Sequence, residues 1–131
     1  MIHTDILTSD TYVHVLFKAM IYPNTESVGS AIYPQLMGSY EKEIQSDISY
    51  LLEKNNYSEI LDVGCAEGYY AIGLSLKCPK SKIYAYDTSF KARELCTEMA
   101  FLNGVQNNVI VNSTMTPKGL ENFNFKGKGL I

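Results

Sequence analysis

The sequence predicts an α/β fold built on a mostly parallel sheet, and three observations carry that expectation. A short apolar run, Ile60, Leu61 and Val63, reads as a buried strand. It runs straight into Gly64 and Gly68, and from there into a helical pattern with Ala71, Ile72, Leu74 and Leu76. Two further strand-like segments, 82–86 and 109–111, then alternate with helical ones, the order expected of strands joined by crossover helices.

Each element follows from local chemistry. Residues 12–22 are apolar enough for a helix or a strand, and periodicity does not decide between them. Pro23 and Asn24, followed by Ser27, Gly29 and Ser30, read as a loop. From Pro34 to Asn55 the pattern is helical. Tyr40, Ile44, Ile48, Leu51 and Leu52 share one face, Glu41, Lys42, Glu43, Gln45 and Glu53 cover the others, and Ser39 is a candidate N-cap. The first strand of the sheet is 59–63. A crossover helix spans 69–77 and is stopped by Pro79. The second strand, 82–86, ends at Asp87. Ser89 caps a helix over 90–103 with Ala92, Leu95, Cys96, Met99 and Leu102 inward, and Gly104 closes it in the left-handed region. Val109, Ile110 and Val111 form a third strand. Thr116 and Pro117 start a short helix, residues 126–129 are a turn, and Leu130 and Ile131 begin another apolar segment.

Composition bounds the function. The chain has 131 residues, enough for one core, and 46% of them are hydrophobic. The formal net charge is −3 with no basic block, which argues against a nonspecific nucleic-acid binder. Cys65, Cys78 and Cys96 have no metal-type spacing and read as reduced thiols, hence a cytoplasmic protein. His3 and His14 have no ligand spacing either. The first residues lack the basic flank of a secretion signal, and the 12–22 run is broken by His14 and Lys18 and too short to span a bilayer.

The chemistry concentrates around the glycines. Strand, glycine turn and helix form a nucleotide-binding crossover, in which glycine lets the backbone turn and a ligand approach, and the amides at the helix start face that ligand. A dinucleotide fingerprint requires Gly-x-Gly-x-x-Gly, and here Ala66 and Tyr69 break it. The spacing present is Asp62-x-Gly64-x-x-x-Gly68. Nineteen residues past Gly68, Asp87 ends the second strand, where a carboxylate can accept both hydroxyls of a ribose.

In order and spacing these residues resemble the class I S-adenosylmethionine-dependent methyltransferases over about residues 34–131. The resemblance implies a Rossmann-like three-layer sandwich and S-adenosylmethionine as cofactor, with S-adenosylhomocysteine as product. It implies that Gly64, Cys65, Ala66 and Gly68 line the methionine part, with Glu67 among the cofactor-binding residues, and that Asp62 orients the turn or binds the amino group. Asp87, with Thr88 and Ser89 nearby, would hold the ribose, and Asn112, Ser113 and Thr114 would approach the adenine. Tyr33, Tyr40 and Glu41 fall in the helix that covers the cofactor in this family. The acidic residue that many members carry after the third strand is not present here.

The domain division is then a segment 1–33 of open structure and an incomplete S-adenosylmethionine-binding domain over 34–131, halting where the fourth strand starts. The methyl acceptor and the catalytic residues are not legible. The exposed edge of the 59–63 strand implies a homo-oligomer, and 1–131 alone is expected not to catalyse methyl transfer. Two other readings stay open: a nucleotide-binding domain of dehydrogenase type, and a non-catalytic binding or interaction domain on the same fold.

Overall fold

A computed structural model gives the structure of the chain, and it describes residues 2–3, 17, 20–22 and 42–131. The expectations for Tyr33, Ser39, Tyr40, Glu41 and His14 fall outside those residues. The described elements are β1 (Ile2–His3), β2 (Ile21–Tyr22), α1 (Lys42–Lys54), β3 (Glu59–Val63), α2 (Tyr69–Lys77), β4 (Lys82–Tyr86), α3 (Phe90–Leu102), β5 (Val109–Asn112), α4 (Pro117–Glu121) and β6 (Gly129–Leu130).

Four strands form one parallel sheet in the order β5-β4-β3-β6. The order reverses at β3. The chain steps outward through β4 to β5 and then returns to pair β6 on the other side. That reversal makes the crevice beyond the carboxyl ends of β3 and β4 the place where α/β sheets of this kind bind ligands. Ile60 and Leu61 point to opposite faces of β3 and both are buried, as a central strand requires. The arrangement is the Rossmann-like one expected from the sequence.

Helices α2 and α3 pack against each other and against the sheet. Ala71, Ile72 and Leu74 meet Ile83, Ala85, Cys96 and Met99 in a single core. The N-terminal segment joins that core through Phe17, Met20 and Tyr22. Phe17 lies against Gly73, where a Cβ would run into its ring. β2 is clamped to the end of α3: Asn103 Oδ1 accepts from Ile21 N–H at 2.7 Å and its Nδ2 donates to Ile21 C=O at 2.9 Å. Of the 12–22 run, residues 21–22 are strand, paired antiparallel with β1.

Boundaries shift by a residue at α3 and at β5. α3 ends at Leu102, and Asn103 is its cap because its amide bonds back to Met99 C=O. β5 extends to Asn112, which pairs with Tyr86, so Asn112 belongs to the strand and not to the loop after it. On α1 the apolar stripe is only partly covered. Ile48 and Leu52 pack on the core, whereas Ile44 is exposed and Gln45 is buried. Ile44, Ile48 and Leu51 face Leu61, Val63 and Leu130 across an open apolar groove. β6 pairs only with Glu59 and Ile60, leaving Leu61 to Val63 without a strand on that side among the described residues.

Candidate cofactor site

The turn after β3 is held to the end of β4 by backbone bonds. Gly64 N–H and Cys65 N–H both donate to Tyr86 C=O, at 2.8 and 2.9 Å. Ala66 N–H donates to Asp87 Oδ2 at 3.0 Å, and Gly68 N–H donates back to Cys65 C=O at 2.8 Å. Three residues take left-handed backbone angles: Gly64 at φ 86°, Ala66 at φ 48° and Gly68 at φ 98°. Glycine adopts these angles freely, while for Ala66 they cost about 1–2 kcal/mol. The Asp87 bond helps hold Ala66 there.

The two glycines do different work. A Cβ on Gly64 would meet nothing within 4 Å, so this position faces open space, as a ligand-approach role requires. A Cβ on Gly68 would lie 2.9 Å from Cys96 Sγ and 3.2 Å from Ile72 Cγ1. Gly68 therefore lets α3 approach the start of α2. Its missing side chain serves packing as well as the left-handed turn expected of it.

The turn before the helix is closed on itself. Gly68, Tyr69 and Ala71 are buried, and the turn amides of residues 64, 65, 66 and 68 are spent on protein acceptors. The free N–H groups that cradle a phosphate in anion-binding turns are not offered by these four.

Asp87 is the hub. Its Oδ2 accepts from Ala66 N–H and its Oδ1 from Ser89 N–H at 2.8 Å, so one half-buried carboxylate ties the glycine turn to the N-terminus of α3. Each carboxylate oxygen has two lone pairs, and each retains acceptor capacity beyond these bonds. Ser89 Oγ caps α3 by accepting from Ala92 N–H. Arg93 was missed by the sequence reading. It reaches back from the first turn of α3 to donate Nη1 to Asp87 C=O at 2.8 Å and Thr88 C=O at 3.0 Å, and it lies over the Phe90 ring. Only its position four residues after the cap hinted at that.

The other predicted residues divide by exposure. Gly64, Ala66, Thr88, Ser89, Ser113 and Thr114 are exposed, with Asp62, Asp87 and Asn112 half-buried. Asp87 N–H donates to Asn112 C=O at 3.3 Å, which brings the Ser113 backbone beside Asp87. From Asn112 and Ser113 an open groove runs along α3 past Phe90. Cys65 and Glu67, each 4% exposed, turn their side chains inward, so only their backbone borders the crevice. A hydrogen bond with the Cys96 thiol, reinforced by burial, holds the Cys65 thiol well above its ordinary range. It is therefore not a thiolate nucleophile. Burial, with Tyr69 and Glu67 beside it, likewise pushes the Tyr22 phenol up.

A parallel sheet with a glycine turn at its switch point and an acidic strand end beside it defines the Rossmann-like class of methyltransferase folds. Residues 48–125 match the methyltransferase small domain family, and the chain belongs to that family. Its structure is similar to an O-methyltransferase from Bacillus cereus, solved in complex with SAH. The likeness has a TM-score of 0.53 at 15% identity and covers 81% of this chain and 44% of that one. It is also similar to the cofactor-bound protein Rv0187 from MTB, with a TM-score of 0.52 at 16% identity, over 79% of this chain and 42% of that one. At these identities the likeness establishes the fold. The chain spans less than half the length of these two structures. No curated protein matches it.

Proposed function

We propose that the chain is the cofactor-binding part of an S-adenosylmethionine-dependent methyltransferase. The observation that carries this reading is the donor and acceptor balance at the turn. Its amides at residues 64, 65, 66 and 68 are consumed internally, while carboxylates at Asp62 and Asp87 flank it. A pyrophosphate needs the opposite arrangement. S-adenosylmethionine brings a sulfonium, an ammonium and a ribose diol, which favour acceptors and negative charge, with a single carboxylate where a dinucleotide brings a doubly charged pyrophosphate. Membership of the methyltransferase small domain family supports the same reading.

Asp87 holds the two ribose hydroxyls with the acceptor capacity left after its backbone bonds. The open position at Gly64 lets the methionine part approach, with Ala66 and the backbone of Cys65, Glu67 and Gly68 completing the turn. Asp62 attracts the amino group or orients the turn. Thr88 and Ser89 flank the ribose, and Asn112, Ser113 and Thr114 border the adenine. Bound S-adenosylmethionine supplies an activated methyl, so what is asked of the chain is to hold, orient and shield it. The partner is a methyl acceptor whose class the site does not define. The apolar groove beside α1 and the open side of Leu61 to Val63 support self-association there. The three free cysteines support a reducing compartment, which we take to be the cytoplasm.

Calorimetry of Asp87→Ala against the unaltered chain, titrated with S-adenosylhomocysteine, tests the assignment. Charge-assisted hydrogen bonds of about 1.5–3 kcal/mol are lost, so affinity falls roughly 10–100-fold. Equal affinity in both proteins removes Asp87 from the site.

A further inference from the structure

The sequence has no basic block, yet the fold assembles one. Six of the eleven cationic residues, Lys54, Lys77, Lys80, Lys82, Lys126 and Lys128, sit at the amino ends of the strands, and all six are exposed. The backbone knits their segments together. Ser58 N–H donates to Lys128 C=O and Lys82 N–H donates to Ser58 C=O, at 2.8 and 2.9 Å. Lys82 Nζ donates to Asn107 C=O at 2.7 Å, and Asn108 Nδ2 donates to Pro79 C=O at 3.2 Å. With strands about 4.8 Å apart, a band of positive charge runs along the amino ends of β6, β3 and β4, and Lys82 carries it to the residues before β5.

Acids do not balance it. Glu53 and Glu59 are the described acids at this pole, and Glu59 is buried with Oε1 accepting from Lys126 N–H. Helix dipoles account for part of the band, because Lys54 and Lys77 end α1 and α2. They do not account for Lys80, Lys82, Lys126 and Lys128, which lie off the helix ends. Between the lysines stand amide side chains, Asn55, Asn56, Gln106, Asn107 and Asn108, and two tyrosines. Lys54 lies 5.9 Å over the ring of Tyr50, which is 61% exposed, and Lys128 lies 5.9 Å over the ring of Tyr57.

We propose that this pole is a docking surface for single-stranded RNA, on the side of the sheet opposite the cofactor crevice. Lysines set in a row neutralise successive phosphates, amides hydrogen-bond to sugars and base edges, and an exposed tyrosine stacks a base. A lipid surface fits less well, since the large exposed apolar residues nearest the band among the described residues, Leu76, Phe101 and Ile110, lie on three separate elements and form no amphipathic face. The inference stands apart from the methyltransferase reading, because no residue of the crevice takes part.

The test is fluorescence anisotropy of a labelled oligouridylate of about 20 nucleotides across a salt series. The unaltered chain is compared with K77Q/K80Q/K126Q and with K77R/K80R/K126R, each checked for fold by circular dichroism. These three lysines are chosen because the side chains of Lys82 and Lys128 bond within the protein. The surface predicts binding whose logarithmic salt slope is shallower by about 2 in the glutamine variant. It predicts an affinity loss of about tenfold or more at low salt, and recovery in the arginine variant. Absence of RNA binding, equal binding by the glutamine variant, or binding to phosphatidylserine vesicles in place of RNA each overturns it.

Discussion

Asp87, proposed to hold the ribose, also holds the fold together. Its two oxygens hold Ala66 N–H and Ser89 N–H, so Asp87→Ala removes two bonds of the folded chain as well as the proposed ligand partner. A stability loss of about 1–2 kcal/mol is expected in urea unfolding, whereas the strand-end position alone suggests none. Gly68 also acts on the fold. Gly68→Ala places a Cβ against Cys96 Sγ at a φ of 98°, and a destabilisation of about 1–3 kcal/mol should appear whether or not ligand is present. An unchanged urea midpoint contradicts the packing role. The sequence showed that a glycine stands at position 68, but the Cys96 contact comes from a helix 28 residues away and has no local signature. Cysteine chemistry can be tested at the same scale. Cys65 is held protonated by Cys96 and by burial, and Cys78 is raised by burial. An unfolded thiol ionises near its ordinary value of 9.0 while the folded Cys65 does not. The folded state then binds more protons, and stability falls as pH rises above about 9, by up to about 1.4 kcal/mol per unit for Cys65. Flat stability from pH 8 to 10 would contradict it.

Among the elements, those governed by local signals were legible. The 59–63 and 82–86 strands and the 69–77 helix match residue for residue, because β-rich apolar runs, a glycine turn and Pro79 mark them. The Ser89 and Thr116 caps hold as read, accepting from Ala92 and Gly119 N–H. Ser89→Ala is expected to cost about 1 kcal/mol. What periodicity did not reveal was coverage. The α1 stripe was correctly seen as apolar, yet which of its residues is buried depends on what lies opposite, and Ile44 faces a groove. Val63, 51% exposed on the open side of β3, adjoins that groove. A lysine at an unpaired edge blocks pairing with a second chain. Val63→Lys should therefore lower the sedimentation coefficient if self-association uses this edge. A unaltered chain that sediments as a monomer removes the edge from that role.

Across the whole molecule, charge is sorted by pole. Asp62, Glu67 and Asp87 stand at the carboxyl ends of β3 and β4, and most of the lysines stand at the other end. No linear reading shows this, because the lysines are spread over residues 54–128 and meet only once the strands align. The same alignment brings Asp87 to Ala66 across 21 positions. The central claim is that this acidic, amide-poor turn selects a cationic nucleoside over a pyrophosphate. Competitive calorimetry of the chain with S-adenosylmethionine and with NADH tests it most directly. The account predicts heat from S-adenosylmethionine, weakened by Asp87→Ala, and none from NADH. Heat from NADH with none from S-adenosylmethionine would contradict it.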